Sequence, residues 1–493
     1  MRIAANTFFS LAQRGIGRFA GALTLIILAR TQGPEVAGLF SLALTFHLLM
    51  TGWWVGIDDK IVREIARRRA ATDKVGNKGT TSPSTCADTR HIVLDYVQVR
   101  GLVSLALLGV VAALIYAGRW YSPAETWFIL VMLSSTVTDN MTLALVNAYV
   151  GHERFAPVFG IMALQTTLRL GLIGLTLVLQ ADMPAIAATW LVTSWLTTGL
   201  AWMLFAQHFP AQGLVGTVHG PTWRALIAPR ADWSFLLMGI VVMLEYQVDV
   251  ILLSLLRGAR EVGYYSTATT LFALATLPVQ AFRAALYPTM SRMAAFATAG
   301  EATPELQRLY GWSVSGVLSA GLLTALLGGF FAEPVIRLVF GPAMTPAALP
   351  TQLLMLGVVL FSLNVPHSRL LLATNRQNRA AQFITVSAIA NVVANLWLAA
   401  WLGAPGTALA RSISSATFLL LALGSVVAVV RLPNKRMVLP PVTAACVTAG
   451  FLLLTVGWPW WLAAACAVLL YAAVWWTMGG AAALRLYPTR FRS

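Results

Sequence analysis

Long apolar stretches separated by short polar connectors follow one another along the whole chain. Stretches such as "VSLALLGVVAALIYAG" and "FLLLALGSVVAVV" lie in runs long enough to cross the hydrocarbon core of a bilayer as a helix, which takes about 20 residues. The alternation of polar and apolar positions that marks a membrane β-barrel is missing from these runs. The pattern therefore predicts an all-α, polytopic membrane protein.

The connectors between the apolar stretches carry Gly, Pro and charged residues, as in "RTQGPE", "GHERFAP" and "RLPNKR". Taken as boundaries, they divide the chain into about fourteen spans. The spans are expected near 6–29, 34–57, 94–117, 124–150, 156–179, 183–206, 233–256, 262–287, 309–332, 349–372, 380–402, 404–430, 437–457 and 459–478.

Composition agrees with this pattern. The 493 residues are 58% hydrophobic and only 11% charged, whereas a soluble protein carries about a quarter charged residues. The three cysteines, Cys86, Cys446 and Cys466, have the spacing of neither a disulfide framework nor a metal site. The N-terminal stretch is interrupted by Arg14 and Arg18, so it is interpreted as the start of an uncleaved first span.

Lys and Arg concentrate in alternate connectors, which predicts the orientation. With the N-terminus in the cytoplasm, the inner segments hold roughly 22 basic residues and the outer loops roughly 5, as the positive-inside rule requires. Both termini are therefore predicted to be cytoplasmic. This bias and contact with anionic lipid headgroups account for most of the net charge of +16, which therefore does not indicate nucleic acid.

The longest inner segment, at 58–92, has two parts. The first, "DDKIVREIARRR", has the spacing of a short amphipathic helix at the membrane interface, with Ile61, Val62 and Ile65 toward lipid. The second, "ATDKVGNKGTTSPSTCADTR", is small and polar, and we interpret it as a mobile loop.

Two short stretches of the sequence resemble each other, the phrases "PEVAGLFSLALT" and "REVGYYSTATT". Gly38 of the first phrase matches Gly263 of the second, about 225 residues later, and each phrase opens the second span of a six-span half. This predicts two parallel six-helix lobes with a substrate path between them, the architecture of a transporter. The expected divisions are an N-lobe at 1–207, an inter-lobe linker at 208–232, a C-lobe at 233–430, and two extra helices with a basic tail at 431–493.

Ionisable side chains inside the spans are the candidate functional residues, because a charge at mid-bilayer costs about 2.5–3.5 kcal/mol and usually marks function. The arginines are Arg14, Arg18, Arg100, Arg169, Arg283, Arg369 and Arg411. The acids are Asp139, Glu245 and Asp249. Seven bases against three acids predict a hydrated, cationic cavity for an anionic cargo, above all a phosphate, which arginine binds bidentately.

The individual residues leave alternatives open. Arg100, Arg283 and Arg369 lie nearer the cytoplasmic ends of their spans, where snorkelling also explains them. The three acids are interpreted as counter-ions of the arginines, or else as sites for a coupling Na⁺ or H⁺. No phosphate-binding GxxxxGK[ST], HExxH or nucleophile-elbow sequence occurs, so neither catalysis nor a resident cofactor is expected.

Four stretches carry a family resemblance: 33–69, 247–292, 335–357 and 373–410. The most specific runs from Asp249 through "VGYY" at 262–265 to Tyr287 and Pro288. With these features the chain resembles the Wzx-type polysaccharide flippases of the multidrug/oligosaccharidyl-lipid/polysaccharide exporter superfamily. The resemblance implies alternating access, a cationic central cavity and movement of an undecaprenyl-diphosphate-linked sugar to the outer leaflet.

On this hypothesis Arg14, Arg18, Arg169 and Arg411, with Arg283 and Arg369, are expected to contact the diphosphate. The expected partners are the lipid-linked oligosaccharide, membrane lipids and a glycan polymerase or glycosyltransferases, with the chain acting as a monomer. Two other hypotheses remain open. A cation-coupled multidrug exporter would need an acidic cavity, and a non-transporting scaffold for glycan assembly would not need the arginines.

Overall fold

The computed structural model describes residues 19–75, 83–180, 182–210, 243, 247–295 and 303–480. No β-strand occurs among these residues, which form sixteen α-helices, one 3₁₀ helix at Pro342–Ala347 and one π-helical turn at Trp476–Gly480. The helices are α1 Phe19–Thr31, α2 Gly33–Gly52, α3 Val55–Val75, α4 Pro83–Gly118, α5 Pro123–Gly151, α6 Phe155–Val178, α7 Met183–His208, α8 at 247–257, α9 Ala259–Ala275, α10 Leu277–Ala294, α11 Pro304–Phe340, α12 Ala348–Ala373, α13 Gln377–Leu402, α14 Ala404–Val427, α15 Lys435–Leu454 and α16 Trp460–Trp475.

The helices confirm the all-α membrane fold. Ten helical segments of the described chain are long and apolar enough to cross a membrane, and α9 with α10 forms one more span, bent by 48° next to Pro278. The described parts of α1 and α8, and the Thr- and Trp-rich α7, fall at the remaining expected spans. Large apolar side chains stay exposed on these helices, as on α4 at Leu102 and Leu105, which is what contact with lipid requires.

The described residues divide into two compact units. The first holds residues up to Thr31 together with Leu39–Gln247, and the second holds Gln32–Gly38 and everything from Val248 onward. The expected lobe boundaries stay a prediction, since most of the expected linker at 208–232 lies outside the described residues.

The core of the first unit is an aromatic and aliphatic cluster at one end of its helices. It contains Trp54, Tyr96 of α4, Tyr149 of α5, Ile161 of α6 and Phe205 of α7. Each of these side chains is buried, so the cluster fixes the positions of the surrounding helices.

Helix α3 corrects two expectations about the segment at 58–92. Ile61 and Ile65 do not face lipid: both are buried in the cluster of the first unit. Gly151, at the end of α5, leaves the space that Ile65 fills, and Arg69 donates a 2.7 Å hydrogen bond to the carbonyl of His152. The segment read as a mobile loop is also helical through Val75 and again from Pro83, with 76–82 outside the described residues. The amphipathic spacing was right, but the apolar face packs against protein.

The second unit is built around α12, which packs against α11 and α14. Leu286 of α10, Tyr310 of α11, Leu370 of α12 and Phe418 of α14 belong to one buried cluster. The two extra helices, α15 and α16, join this unit through α11. Leu326 of α11 packs against the buried cluster that Leu452 of α15 forms with Ala463 and Ala467 of α16. The hydroxyl of Tyr471 donates a 3.0 Å hydrogen bond to the carbonyl of Ser319.

The two similar phrases place one glycine each, Gly38 of α2 and Gly263 of α9, at a close helix crossing inside the second unit. A Cβ on Gly38 would overlap the carbonyl oxygen of Ala259, and a Cβ on Gly263 would overlap the carbonyl oxygen of Pro34. The two glycines therefore meet the opposite helix in a reciprocal way. Small residues of this kind let two backbones touch directly.

The acid of the second phrase has a separate structural role. Glu261 accepts a 2.8 Å hydrogen bond from the backbone N–H of Ala404, the first residue of α14, where the macrodipole favours a negative charge. Arg257 donates a 2.6 Å hydrogen bond to the carbonyl of Trp401 near the end of α13. The sharp turn between α13 and α14, where Gly403 has a φ of +65°, is therefore held by the turn between α8 and α9.

We expect Gly263→Ala to destabilise the protein by about 1–3 kcal/mol, because a backbone carbonyl cannot move aside as a side chain would. Thermal unfolding in detergent would measure the loss. Gly316→Ala is the matched control: a Cβ at this helical glycine meets open space, so the change should be neutral or slightly stabilising. Equal stability of both variants would contradict the role given to the crossing.

Candidate functional site

The carboxylate of Asp139 lies at the centre of a polar network within the first unit. Its Oδ2 accepts a 2.7 Å hydrogen bond from Arg169 of α6, and its Oδ1 accepts a 2.6 Å hydrogen bond from Gln165, one helical turn earlier. Arg169 also donates to the hydroxyl of Ser194 and lies over the ring of Trp190, with 4.2 Å between the guanidinium carbon and the ring centroid. The guanidinium is thus held by one acid, by the hydroxyls of Ser194 and Thr193, and by one aromatic face.

A second pair, not expected from the sequence, joins α3 to the first unit. Arg100 of α4 is fully buried and donates to Oδ1 of Asp58, which also accepts hydrogen bonds from Tyr96 and Asn147. The same guanidinium donates to Asn140. Arg100 therefore does not snorkel. Burial raises the pKa of Asp58 above its ordinary value, and the charge of Arg100 with these hydrogen bonds offsets only part of that rise.

A third pair contains the most deeply buried of the three carboxylates. Asp249 of α8 is 1% exposed, and its Oδ2 accepts hydrogen bonds from Arg411 of α14 at 2.9 Å and from Tyr265 at 2.8 Å. Its Oδ1 accepts hydrogen bonds from Asn391 at 2.6 Å and Asn395 at 3.0 Å, both on one face of α13. The amide pair thus binds the carboxylate as well as joining two helices.

These pairs change the expected charge balance. The structure gives Arg100, Arg169 and Arg411 one carboxylate each, so these guanidiniums are already neutralised within their own unit. Arg14, Arg18 and Glu245 lie outside the described residues, and their roles stay predictions.

Arg283 and Arg369 have different surroundings. They line a cavity of about 380 Å³ in the second unit, together with Gln280, Ala284 and Tyr287. No carboxylate is among these lining residues. The guanidinium of Arg369 lies 5.8 Å from the centre of the Tyr287 ring.

The cavity follows from helical spacing and from α12. Gln280, Arg283, Ala284 and Tyr287 recur on α10 at intervals of three or four residues, so they share one face. Arg369 comes from α12, and it places a second guanidinium opposite that face. The concave surface can therefore offer an anion two guanidinium forks, an amide and a phenol.

The sequence itself contains a signal for two residues of this cavity. The spacing on α10 marks Gln280 and Tyr287 as neighbours of Arg283, and Tyr287 belongs to the aromatic-Pro pair of the most specific stretch. Asp58 lies in an inner connector of the predicted topology, outside the spans that hold the candidate acids. Nothing in the local sequence connects it with Arg100.

Comparison with known proteins gives one family match. The model of a family described as "Polysaccharide biosynthesis protein" matches residues 3–294. No curated protein matches significantly.

Solved structures of other proteins share the fold, and two of them are similar over most of the chain. The lipid II flippase MurJ, in an inward closed conformation, is similar with a TM-score of 0.70 and 15% identity, covering 97% of this chain and 99% of that one. An inward-facing multidrug resistance MATE family transporter of the MOP superfamily is similar with a TM-score of 0.62 and 14% identity, covering 83% of this chain and 93% of that one. These likenesses confirm the expected superfamily fold, with two six-helix lobes and two further C-terminal helices.

Proposed function

Because the chain belongs to the polysaccharide biosynthesis protein family, we propose that it is a flippase for an undecaprenyl-diphosphate-linked oligosaccharide. It carries this lipid from the cytoplasmic to the outer leaflet of a bacterial inner membrane by alternating access. The family and the fold support a membrane transporter of this superfamily, and the cargo and the mechanism are our proposal.

The observation that carries the choice of cargo is the cavity between Arg283 and Arg369. Its charged lining side chains are both guanidiniums, and its remaining polar ones, Gln280 and Tyr287, can each donate a hydrogen bond. A diphosphate presents several oxygens and at least two negative charges, which match two planar forks of donors.

The paired arginines have a different place in this proposal. Arg169 and Arg411 would bind a diphosphate only by giving up Asp139 or Asp249, and a carboxylate left alone in the interior costs several kcal/mol. We therefore assign them to the framework of each unit. Arg14 and Arg18, one helical turn apart, remain proposed contacts of the diphosphate.

The positive charge of the cavity lining argues against the hypothesis of a cation exporter. Organic cations would be repelled by two guanidiniums, and the described lining contributes no acid that would bind them. A scaffold without transport activity would have no use for this arrangement of charges.

The test is the fate of the lipid-linked sugar in a strain of the source organism that lacks the chain. We expect the lipid-linked oligosaccharide to accumulate, accessible to a membrane-impermeant label only from the cytoplasmic side of inverted vesicles. The complete chain supplied from a plasmid should restore the normal distribution and the surface glycan.

Two further measurements separate the other hypotheses. A multidrug exporter would change drug susceptibility in an exporter-deficient host and leave the lipid-linked sugar normal. A scaffold would block assembly of the oligosaccharide, or its polymerisation, without confining a completed lipid to the inner leaflet. Either result would overturn the proposal.

A further inference from the structure

The pair of Asp249 and Arg411 occupies a site with an unusual set of oxygen atoms. Both carboxylate oxygens are fully engaged, Oδ1 by two amides and Oδ2 by Tyr265 and Arg411. The carbonyl oxygens of Asn391 and Asn395 stand next to the same carboxylate, because both amide nitrogens donate to it.

One of these oxygens lacks a donor. Oδ1 of Asn395 is buried and accepts no hydrogen bond from the residues that the structure describes. A buried acceptor of this kind normally has a partner, either a donor or a cation. Carboxylate, amide and hydroxyl oxygens together are the ligands that hard cations prefer.

A buried carboxylate also requires a positive charge close by. Here that charge comes from within the protein, on the fixed side chain of Arg411, 2.9 Å from the carboxylate. The first unit repeats the chemistry with other residues: Asp139 accepts from the amide of Gln165 and from Arg169. Each unit thus supplies its own counter-cation to a carboxylate that is held by side-chain amides.

We propose that Arg411 takes the place of a small monovalent cation at Asp249. The protein as it exists binds no Na⁺ there, and its conformational cycle does not depend on Na⁺ at this carboxylate. Removing the guanidinium opens a Na⁺ site whose ligands are oxygens of Asp249, Asn391, Asn395 and Tyr265. This inference concerns the framework of the second unit, and it holds whatever the cargo.

The experiment uses the purified full chain, with thermal unfolding followed in NaCl and in choline chloride at equal ionic strength. The wild type should unfold at the same temperature in both salts. Arg411→Ala should be destabilised in choline chloride, and increasing NaCl should raise its unfolding temperature by several degrees in a saturable manner. Arg411→Lys, which keeps a tethered cation, should respond as the wild type does.

Two controls assign the effect to the carboxylate and to the site. Arg411→Ala/Asp249→Asn has neither charge and should not distinguish NaCl from choline chloride. Arg337→Ala removes an exposed arginine that pairs with Glu333, and should leave the wild-type behaviour unchanged.

Three outcomes would overturn the proposal. The first is a Na⁺-specific stabilisation of the wild type that Asp249→Asn abolishes, since the native site would then bind the ion. The second is a folded Arg411→Ala with the same unfolding temperature in both salts. The third is failure of Arg411→Ala to fold even when it is extracted in NaCl, because the new site should restore the missing charge. None of these readouts depends on glycan export. This inference can therefore fail while the proposed flippase function stands, and the flippase function can fail while this inference stands.

Discussion

Replacing the two arginines of the cavity, as Arg283→Ala/Arg369→Ala, should reduce export of the lipid-linked oligosaccharide by about 100-fold or more. A hydrogen bond to a charged group contributes about 1.5–3 kcal/mol, and the double change removes two charged forks from the same cavity. The measurement is surface glycan formed by a deletion strain that expresses the variant, normalised to the amount of the protein in the membrane.

The matched control for this double variant is again Arg337→Ala. That arginine lies on α11 of the same unit, is largely exposed, and pairs with Glu333 four residues earlier, so its loss should leave export intact. Arg283→Lys/Arg369→Lys keeps both charges but loses the bidentate geometry, and should retain part of the activity. Full glycan assembly by the double alanine variant would remove the cavity from the transport path.

The second large effect is expected at Asp58. Asp58→Ala leaves the fully buried guanidinium of Arg100 without its carboxylate, which should destabilise the protein by about 3–5 kcal/mol. The partial exposure of the Asp58 side chain and the remaining bond of Arg100 to Asn140 favour the lower part of this range. Abundance in the membrane and the unfolding temperature in detergent would both decrease.

The control for Asp58 lies on the same helix. Glu64 pairs with Arg67 and Arg68 at the surface of α3, and although burial opposes it, these two arginines lower the pKa of its carboxyl. Glu64→Ala should cost no more than about 1 kcal/mol, because pairs at the surface contribute little. Asp58→Ala/Arg100→Met should recover part of the stability lost in Asp58→Ala, since no buried charge is then left alone. A Glu64→Ala variant as unstable as Asp58→Ala would show that the effect belongs to α3 as a whole.

The fold followed from the sequence because a bilayer restricts what a chain can do. An apolar segment such as that of α4 has to be helical in lipid, and the length of the segment indicates where the membrane span ends. The doubling of a short phrase gave the six-plus-six arrangement. Ile61 and Ile65 show the limit of this reasoning, since a helical apolar face looks the same whether lipid or protein covers it.

The site was harder to predict, because charge pairing depends on contacts that no local pattern contains. Asp249 and Arg411 are 162 residues apart, and Arg100 lies 42 residues from Asp58. Counting bases against acids predicted a cationic cavity, and the cavity between α10 and α12 is lined by two guanidiniums. The count could not show that three arginines are paired with carboxylates, nor that Arg283 and Arg369 line one cavity.

The attachment of α15 and α16 to a single helix bears on how such a chain gains or loses segments. Their apolar contacts are with one side of α11, through residues such as Leu326 and Phe331. If the pair were deleted, acyl chains would cover these side chains, and lipid solvates leucine about as well as a neighbouring helix does. In water such a truncation would expose an apolar surface that promotes aggregation. In a bilayer the truncation costs little stability, because lipid covers that surface. A terminal helical hairpin is therefore a segment that gene fusion or truncation can add or remove without disturbing the twelve membrane spans before it.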